Sequence, residues 1–219
     1  MNKLIFDLGC HTLDSTERFL DKGYTIVAID ADIDKLKLID IKYNKYIQEN
    51  KLILVNKAIY NEDNCSVNFY IQPNCTVWNS LFKNISERSN VSKCIKVDTI
   101  TLRSLIQMFG IPEYCKIDIE GADIIALNSL SADILPKFIS CETECIGLGD
   151  ILDPLKIVHK LHQLGYSKFY LEKQPSNLTY TDIVNWINYE ELEKLLLKTR
   201  ENHKFRVFYD FWYDVYATF

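Results

Sequence analysis

Acidic residues stand at the ends of several short apolar runs in this 219-residue chain. Asp7 closes the run KLIFDL, Asp30 closes TIVAID, and Asp118 closes YCKIDI, while Glu142 ends a later run, KFISCET. Because parallel strands bring their carboxyl ends to one edge of a sheet, we expect these carboxylates to border a single crevice. A crevice of this kind repels a pyrophosphate and attracts a positively charged ligand.

The order of the apolar runs predicts the elements that must hold these acids. Strand-like and helix-like segments alternate, which is typical of a parallel sheet with helices on its faces. We predict one doubly wound α/β domain over residues 1–219, with a mostly parallel Rossmann-like sheet, an aromatic C-terminal strand and a loop-rich insertion around 73–97. The predicted strands are 3–8, 25–30, 52–59, 66–72, 114–119, 137–143, 167–172 and 211–218, and the predicted helices are 15–22, 33–47, 98–110, 122–130, 154–164 and 189–199.

Two helix starts carry the pattern of a capping box, in which an N-cap side chain pairs with an acid three residues on. Asp14 with Glu17 predicts the first helix, and Asn188 with Glu191 predicts the last one. The alternating aromatics of the tail, Trp212 among them, are expected in the core or in a homodimer contact.

The charge and the composition limit the classes of partner that the protein is expected to bind. The chain has 25 Lys and Arg against 30 Asp and Glu, a net charge of −5, which argues against nucleic-acid binding through the phosphate backbone. No apolar run approaches the ~18–20 residues that span a bilayer, and the N-terminus lacks the apolar core of a signal peptide. We therefore expect a cytoplasmic protein without a membrane partner.

The glycine pattern selects among cofactors. A dinucleotide site needs G-x-G-x-x-G after the first strand, whereas here Gly9 is followed by no glycine until Gly23. An acid at the end of the second strand, Asp30, can still accept hydrogen bonds from ribose hydroxyls. Ribose without pyrophosphate in an acidic crevice indicates S-adenosylmethionine, whose sulfonium and ammonium groups are both positive.

Six segments in sequence order carry a family resemblance: LIFDLGCHTLDSTERFL, VAIDAD, VNKAIYN, WNSL, VDTITLRSLI and YCKIDIEGAD. Together they resemble the FkbM-type methyltransferases, and KIDIEGAD is the most specific of them. The resemblance covers residues 3–145. It implies the class I methyltransferase fold, S-adenosylmethionine as cofactor, and O-methylation of small molecules and sugars.

The same resemblance implies roles for individual residues. Asp7 and Gly9 would line the methionine end of the cofactor, Asp30 would hold the ribose, and the backbone around Ala58 would lie near the adenine. The full set of cofactor-binding residues implied in this way is Asp7, Gly9, Cys10, His11, Asp30, Ala31, Ala58, Asp118 and Glu120.

The first loop departs from the family pattern. The family usually reads D-x-G-A-N-x-G, whereas this chain has Cys10, His11 and Leu13 at the Ala, Asn and second Gly positions. Because a leucine side chain disfavours positive φ, Leu13 leaves three outcomes open: the cofactor is bound with a shifted loop, is bound weakly, or is not bound.

Transfer of a methyl group to an alcohol requires a group that takes the hydroxyl proton. Asp118, Glu142 and His11 are the candidates for this general base, in that order. Two acids on neighbouring strand ends could instead hold a magnesium ion, which would lower the pKa of the hydroxyl, and the sequence does not decide between these mechanisms.

The acceptor pocket is expected from residues 73–94, which include Trp78 and Ser80, and from residues 145–154. We interpret the protein as an O-methyltransferase for a small hydroxylated molecule, with a sugar or glycoconjugate favoured. One alternative is an RNA ribose 2′-O-methyltransferase, in which Lys116 beside Asp118 would take part. The other is a degenerate member that has become a binding or assembly module.

Overall fold

The computed structural model describes residues 3–88, 90–144, 154–174, 178–203 and 212–219. Within these residues the strands are β1 Leu4–Leu8, β2 Thr25–Ile29, β3 Leu52–Val55, β4 Ala58–Ile59, β5 Ser66–Ile71, β6 Lys93–Ile100, β7 Tyr114–Ile117, β8 Phe138–Glu144, β9 Lys168–Lys173 and β10 Trp212–Thr218. The helices are α1 Ile33–Lys42, α2 Asn44–Gln48, α3 Lys83–Ser86, α4 Leu102–Phe109, α5 Asp123–Asn128, α6 Pro154–Leu164 and α7 Tyr189–His203, with 3-10 turns at Glu17–Phe19 and Thr76–Trp78.

Seven strands form one sheet in the order β3-β2-β1-β7-β8-β10-β9. The pairs β2–β3, β1–β2, β1–β7 and β7–β8 are parallel, and β10 runs antiparallel to both β8 and β9. This arrangement confirms the predicted doubly wound, mostly parallel sheet with an aromatic C-terminal strand. The strand order reverses between β1 and β7, so the crevice beyond their carboxyl ends is the expected ligand site.

Apolar residues on both faces of this sheet explain why it forms. Phe6, Ile117 and Ile139 point to a core shared with α4, α5 and α6, while Ile5 and Ile26 point to a second core. Strands that are buried on both faces read as continuous apolar runs, which is the pattern found in β1, β2 and β7.

The predicted strand 52–59 is wrong as a single element. β3 ends at Val55, and the chain then turns into β4, which pairs with β6 in a separate three-stranded sheet ordered β4-β6-β5. The polar pair Asn56 and Lys57 marks the break, since the Asn56 side chain donates to the carbonyls of Asp30 and Ala31.

The predicted helix 98–110 begins too early. Residues 93–100 form β6, whose alternating exposure fits a strand with one covered face, and α4 starts only after Thr101, whose side chain accepts from Ser104 N. The region 73–97 predicted as loop-rich contains the 3-10 turn Thr76–Trp78, helix α3 and the start of β6.

The predicted helix 15–22 is reduced to the 3-10 turn Glu17–Phe19. No Asp14–Glu17 capping box forms, because the Asp14 carboxylate accepts from Thr12 Oγ1 instead. By contrast, the box at Asn188 is confirmed: Glu191 N donates to Asn188 Oδ1 at 2.9 Å, and Asn188 N donates to Glu191 Oε2 at 3.1 Å.

Two further differences concern segment ends. The predicted helix 33–47 is divided into α1 and α2 at Tyr43, and α7 runs on to His203. Residues 145–153, expected in the acceptor pocket, lie outside the described residues, as does residue 211 of the predicted last strand. Among the helices of the described residues, none has the length and apolar character needed to cross a membrane.

Candidate functional site

A cavity of about 530 Å³ opens where the carboxyl ends of β1, β2, β7 and β8 meet. This volume falls in the range of small-molecule sites. Of the residues proposed from sequence for cofactor binding or catalysis, those that line the cavity are Gly9, Cys10, His11, Asp30, Ala31, Ala58, Asp118, Glu120 and Glu142.

The structure does not bring Asp7 to the cavity wall, against the expectation that it would line the cofactor. Its carboxylate is fully buried under the floor, where Oδ2 accepts from Thr16 Oγ1 at 2.5 Å and Oδ1 lies 4.0 Å from Lys116 Nζ. Burial raises the pKa of Asp7, and the positive charge of Lys116 opposes that rise.

Gly9 occupies a position that only glycine fits. Its φ is +78°, and a Cβ placed there would lie 1.9 Å from the carbonyl oxygen of Asp118. The glycine therefore lets the loop after β1 cross the loop after β7, in addition to forming part of the cavity wall.

The loop after β1 keeps left-handed backbone at two residues with side chains. His11 has φ +44° and Leu13 has φ +69°. The Leu13 side chain is fully buried in the second core, so packing holds the strained conformation. Leu13 belongs to that core and does not line the cavity, so its side chain does not occupy the space of a ligand; the effect of Leu13 on cofactor binding stays a prediction.

Asp30 stands immediately after β2 and faces the cavity. Its Oδ2 accepts from His11 N at 3.0 Å and its Oδ1 accepts from Asp32 N at 2.8 Å. Burial raises the pKa of Asp30 to about 6, although the two backbone hydrogen bonds act in the other direction.

A segment from the insertion covers the cavity, and we call residues 75–81 the roof. Thr76 Oγ1 lies 3.0 Å from His11 Nε2 and accepts from Lys35 Nζ at 2.7 Å. His11 Nδ1 lies 3.2 Å from Thr12 Oγ1, so both of its ring nitrogens have partners. Burial, followed by the charge of Lys35, lowers the pKa of His11. These contacts suit His11 to holding the roof better than to taking a substrate proton.

The roof is held at two further points. Asn79 Nδ2 donates to Asp32 Oδ2 at 3.1 Å, and the buried Ser80 hydroxyl donates to the Glu120 carbonyl at 2.7 Å. Trp78, expected over the crevice, lines the cavity. The guanidinium of Arg88 lies 5.7 Å from its ring centre and pairs with Glu120 at 3.2 Å.

Asp118, just after β7, forms an ion pair with Lys116 across 2.7 Å. The Asp118 side chain is 37% exposed, whereas that of Lys116 is 11% exposed, so the carboxylate is the group open to a ligand. Partial burial acts against ionisation of Asp118, but the charge and hydrogen bond of Lys116 hold the pKa of Asp118 below its ordinary value.

Glu142 has the opposite environment. Burial, together with the negative charges of Asp118 and Glu120, raises the pKa of Glu142 well above its ordinary value. Asp214 stands directly across from Glu142 on β10, and burial with the charge of Asp118 raises the pKa of Asp214 to about 7.

One carboxylate oxygen each of Asp118, Glu120 and Glu142 lies within 4.8 Å of the others. This spacing could accommodate a shared cation. Two of the three acids, however, already contact a cationic side chain, Lys116 or Arg88. The magnesium alternative therefore stays a hypothesis that the geometry does not favour.

The model of the methyltransferase FkbM domain matches residues 6–168, well over half of the chain. The chain belongs to the FkbM methyltransferase family. No curated protein matches it.

Solved structures resemble this FkbM methyltransferase at low sequence identity. The precorrin-6y C5,15-methyltransferase of Geobacter metallireducens is 12% identical with a TM-score of 0.46, over 99% of this chain and 78% of its own. A SAM-dependent methyltransferase of Archaeoglobus fulgidus is 11% identical with a TM-score of 0.47, over 98% of this chain and 85% of its own. The magnesium protoporphyrin IX methyltransferase of Synechocystis PCC 6803, with bound SAH, is 9% identical with a TM-score of 0.49, over 99% and 73%.

Several residues of the FkbM methyltransferase site escaped the sequence analysis. Thr76 and Lys35 belong to segments that carry no motif, and Asp214 lies in a tail strand whose partner could not be named. Trp212 lines the cavity and is 36% exposed, so the expectation that it lies in the core is wrong, while the alternative of a homodimer contact stays a prediction. The spacing of Lys116 and Asp118 already indicated that they lie close together, since residues two apart in a strand share a face.

Proposed function

We propose that this protein transfers a methyl group from S-adenosylmethionine to a hydroxyl group of a small molecule, with a sugar or glycoconjugate as the acceptor. The observation that carries the proposal is that Asp30 and Asp118 line one cavity, each just after a strand that flanks β1. A carboxylate after β2 suits a ribose, and carboxylates after β7 and β8 suit a positively charged sulfonium.

The residues present fit this cofactor. The apolar wall for an adenine comes from Ala31, Ala58 and Phe69, and the Asp30 carboxylate is open to the cavity as an acceptor for ribose hydroxyls. S-adenosylmethionine, when bound, supplies a methyl group on a positively charged sulfur. The acceptor hydroxyl must approach that methyl group in line, and we assign Asp118, a partly exposed carboxylate in the cavity lining, to receive its proton.

The acceptor would occupy the side of the cavity formed by Trp78, Glu142 and Trp212. Aromatic faces beside carboxylates are suited to a polyhydroxylated ring, since the ring stacks while its hydroxyls donate to the acids. The covered cavity and the net charge of −5 favour a small acceptor over RNA.

Calorimetric titration tests the cofactor. We expect micromolar binding of S-adenosylmethionine and S-adenosylhomocysteine, and no binding of NAD. Replacing Asp30→Ala removes charge-assisted hydrogen bonds worth ~1.5–3 kcal/mol, so we expect affinity to fall about 10–100-fold. Lys168→Met, at an exposed site on β9, is the control and should bind as the parent protein does. A cooperatively folded protein that ignores both ligands would indicate the degenerate module instead.

Acceptor specificity needs a separate experiment. Once cofactor binding is established, methyl transfer from radiolabelled S-adenosylmethionine to a panel of hydroxylated sugars, with an RNA transcript beside them, distinguishes the two acceptor classes. Label in the RNA alone would overturn the small-molecule proposal.

A further inference from the structure

Lys116 lines the cavity and has an acid on either side of its amine. Its Nζ donates to Asp118 Oδ2 at 2.7 Å, just beyond the end of β7, and lies 4.0 Å from Asp7 Oδ1 on β1. Register explains the placement: Asp7 and Lys116 are direct partners in the β1–β7 pair, so their side chains share a face of the sheet. The two acids raise the pKa of Lys116 in spite of its burial, so the amine stays charged.

Of the two acids that could take a substrate proton, Asp118 is the one to which this amine donates a hydrogen bond. Asp118 and Glu142 have carboxylate oxygens within 4.8 Å of each other, close enough that they compete for one proton. Lys116 pairs with Asp118. In the described part of the chain, the ion pairs include none to Glu142, which instead faces Asp214 across the β8–β10 pair.

Other charged groups face this pair from every neighbouring element. Asp123 of α5 and Asp214 of β10 add negative charge near both acids, while Arg88 neutralises Glu120 and His11 lies across the cavity. The surrounding negative charge favours one shared proton on the pair, and Lys116 breaks the symmetry between its two members.

We propose that Lys116 is a positioning residue that makes Asp118, rather than Glu142, the carboxylate that receives the acceptor proton. The inference rests on the proposed function, since it presupposes an acceptor hydroxyl. As the oxygen–methyl bond forms and the sulfur–methyl bond breaks, the hydroxyl proton passes to Asp118. Asp118 then returns the proton to solvent, and Lys116 acts through its ion pair with Asp118.

Carbon-13 NMR of the intact protein, labelled at the Asp and Glu carboxyl carbons, tests this order directly. Asp118→Asn and Glu142→Gln spectra assign the two signals. We expect Asp118 to lose its proton at a lower pH than Glu142 does, and Lys116→Met to raise the Asp118 midpoint by about 1–3 pH units. Lys168→Met removes an exposed lysine of the same sheet and should leave both midpoints unchanged.

Two results would overturn the proposal. One is a parent protein in which Glu142 ionises before Asp118, and the other is a Lys116→Met protein whose Asp118 midpoint does not move. If Lys116→Met fails to fold, the order in which Asp118 and Glu142 lose their protons in the parent protein still tests the proposal. These spectra need no ligand, so calorimetry with S-adenosylmethionine reports separately on the proposed function. With an acceptor in hand, Lys116→Met should lower kcat, shift the acidic limb of the pH profile upward and leave cofactor affinity within about threefold.

Discussion

The two walls of the cavity hold their acids in different ways. On the cofactor wall, formed by residues 9–11 and 30–31 with Ala58, both oxygens of Asp30 accept backbone amides. On the carboxylate wall, formed by Asp118, Glu120 and Glu142, the contacts are with the side chains of Lys116 and Arg88 and with other acids.

This difference suits the first wall to binding a ligand and the second wall to taking up a proton. Backbone amides fix a carboxylate in one place, which suits a ribose that must always bind in the same position. On the carboxylate wall the ion pair with Lys116 keeps Asp118 ionised, and an ionised carboxylate suits the capture of a proton from a hydroxyl. A wall fixed by backbone amides and a wall of paired side chains therefore lie within one cavity.

The largest effect is expected where the two walls meet, at Gly9. Gly9→Ala places a Cβ against the Asp118 carbonyl, in addition to the roughly 1–2 kcal/mol that left-handed backbone costs a residue with a side chain. We expect a loss of folding stability well above that figure, measured by urea unfolding. Gly165→Ala is the matched control, because Gly165 has φ +107° but no atom within 4 Å of the added carbon. Equal losses in the two variants would show that the crossing is not tight.

Leu13→Gly tests whether packing shapes the cofactor wall. Loss of a buried leucine side chain costs ~2–5 kcal/mol, and relief of positive φ returns roughly 1–2 kcal/mol. We therefore expect a net destabilisation of about 1–3 kcal/mol with unchanged affinity for S-adenosylmethionine, since Leu13 does not line the cavity. A more stable variant, or one with stronger cofactor binding, would show that leucine distorts the loop after all.

Asp214, which stands across from Glu142 of the carboxylate wall, should make the stability of the protein depend on pH. Asp214 has a pKa of about 7 in the folded protein against an ordinary value of 3.8, so the folded state binds the proton more tightly. The free energy of unfolding should therefore fall as pH rises from 5 to 7, by roughly 2 kcal/mol from this group. Asp214→Asn should flatten that slope while keeping an acceptor for Gln174, which donates to it at 2.7 Å. An unchanged slope would place the titration elsewhere.

The cofactor wall should show its pH dependence in binding. Asp30 has a pKa of about 6, and ribose hydroxyls require its ionised form. Affinity for S-adenosylhomocysteine should thus fall below pH 6, approaching tenfold per unit, as followed by calorimetry between pH 5 and 8. Asp30→Asn should bind weakly with no such trend. A parent protein with flat affinity over this range would remove Asp30 from the ribose site.

The sequence was sufficient for the parallel sheet, because buried strands appear as continuous apolar runs that end in Asp30 and Asp118. It failed where tertiary contacts override local pattern. Asp14 and Glu17 have the spacing of a capping box, but Asp14 accepts from Thr12 Oγ1 and Thr16 donates to the buried Asp7, and the segment forms only a 3-10 turn.

Most of the proposed site residues could be located from strand ends alone, since topology gathers those ends at one edge. The contacts of Thr76 and Asp214 could not, because they depend on how the insertion folds back and on which strand the tail joins. Those long-range choices leave no local trace in the residues concerned.

The crossing at Gly9 also bears on how relatives of this protein can be judged. Its hydrogen atom faces a neighbouring carbonyl that belongs to the fold itself. A descendant that had abandoned methyl transfer would still need glycine there to keep its chain path. A glycine retained at this position therefore shows only that the fold is kept. The acids around the cavity are better evidence that the ligand site is kept.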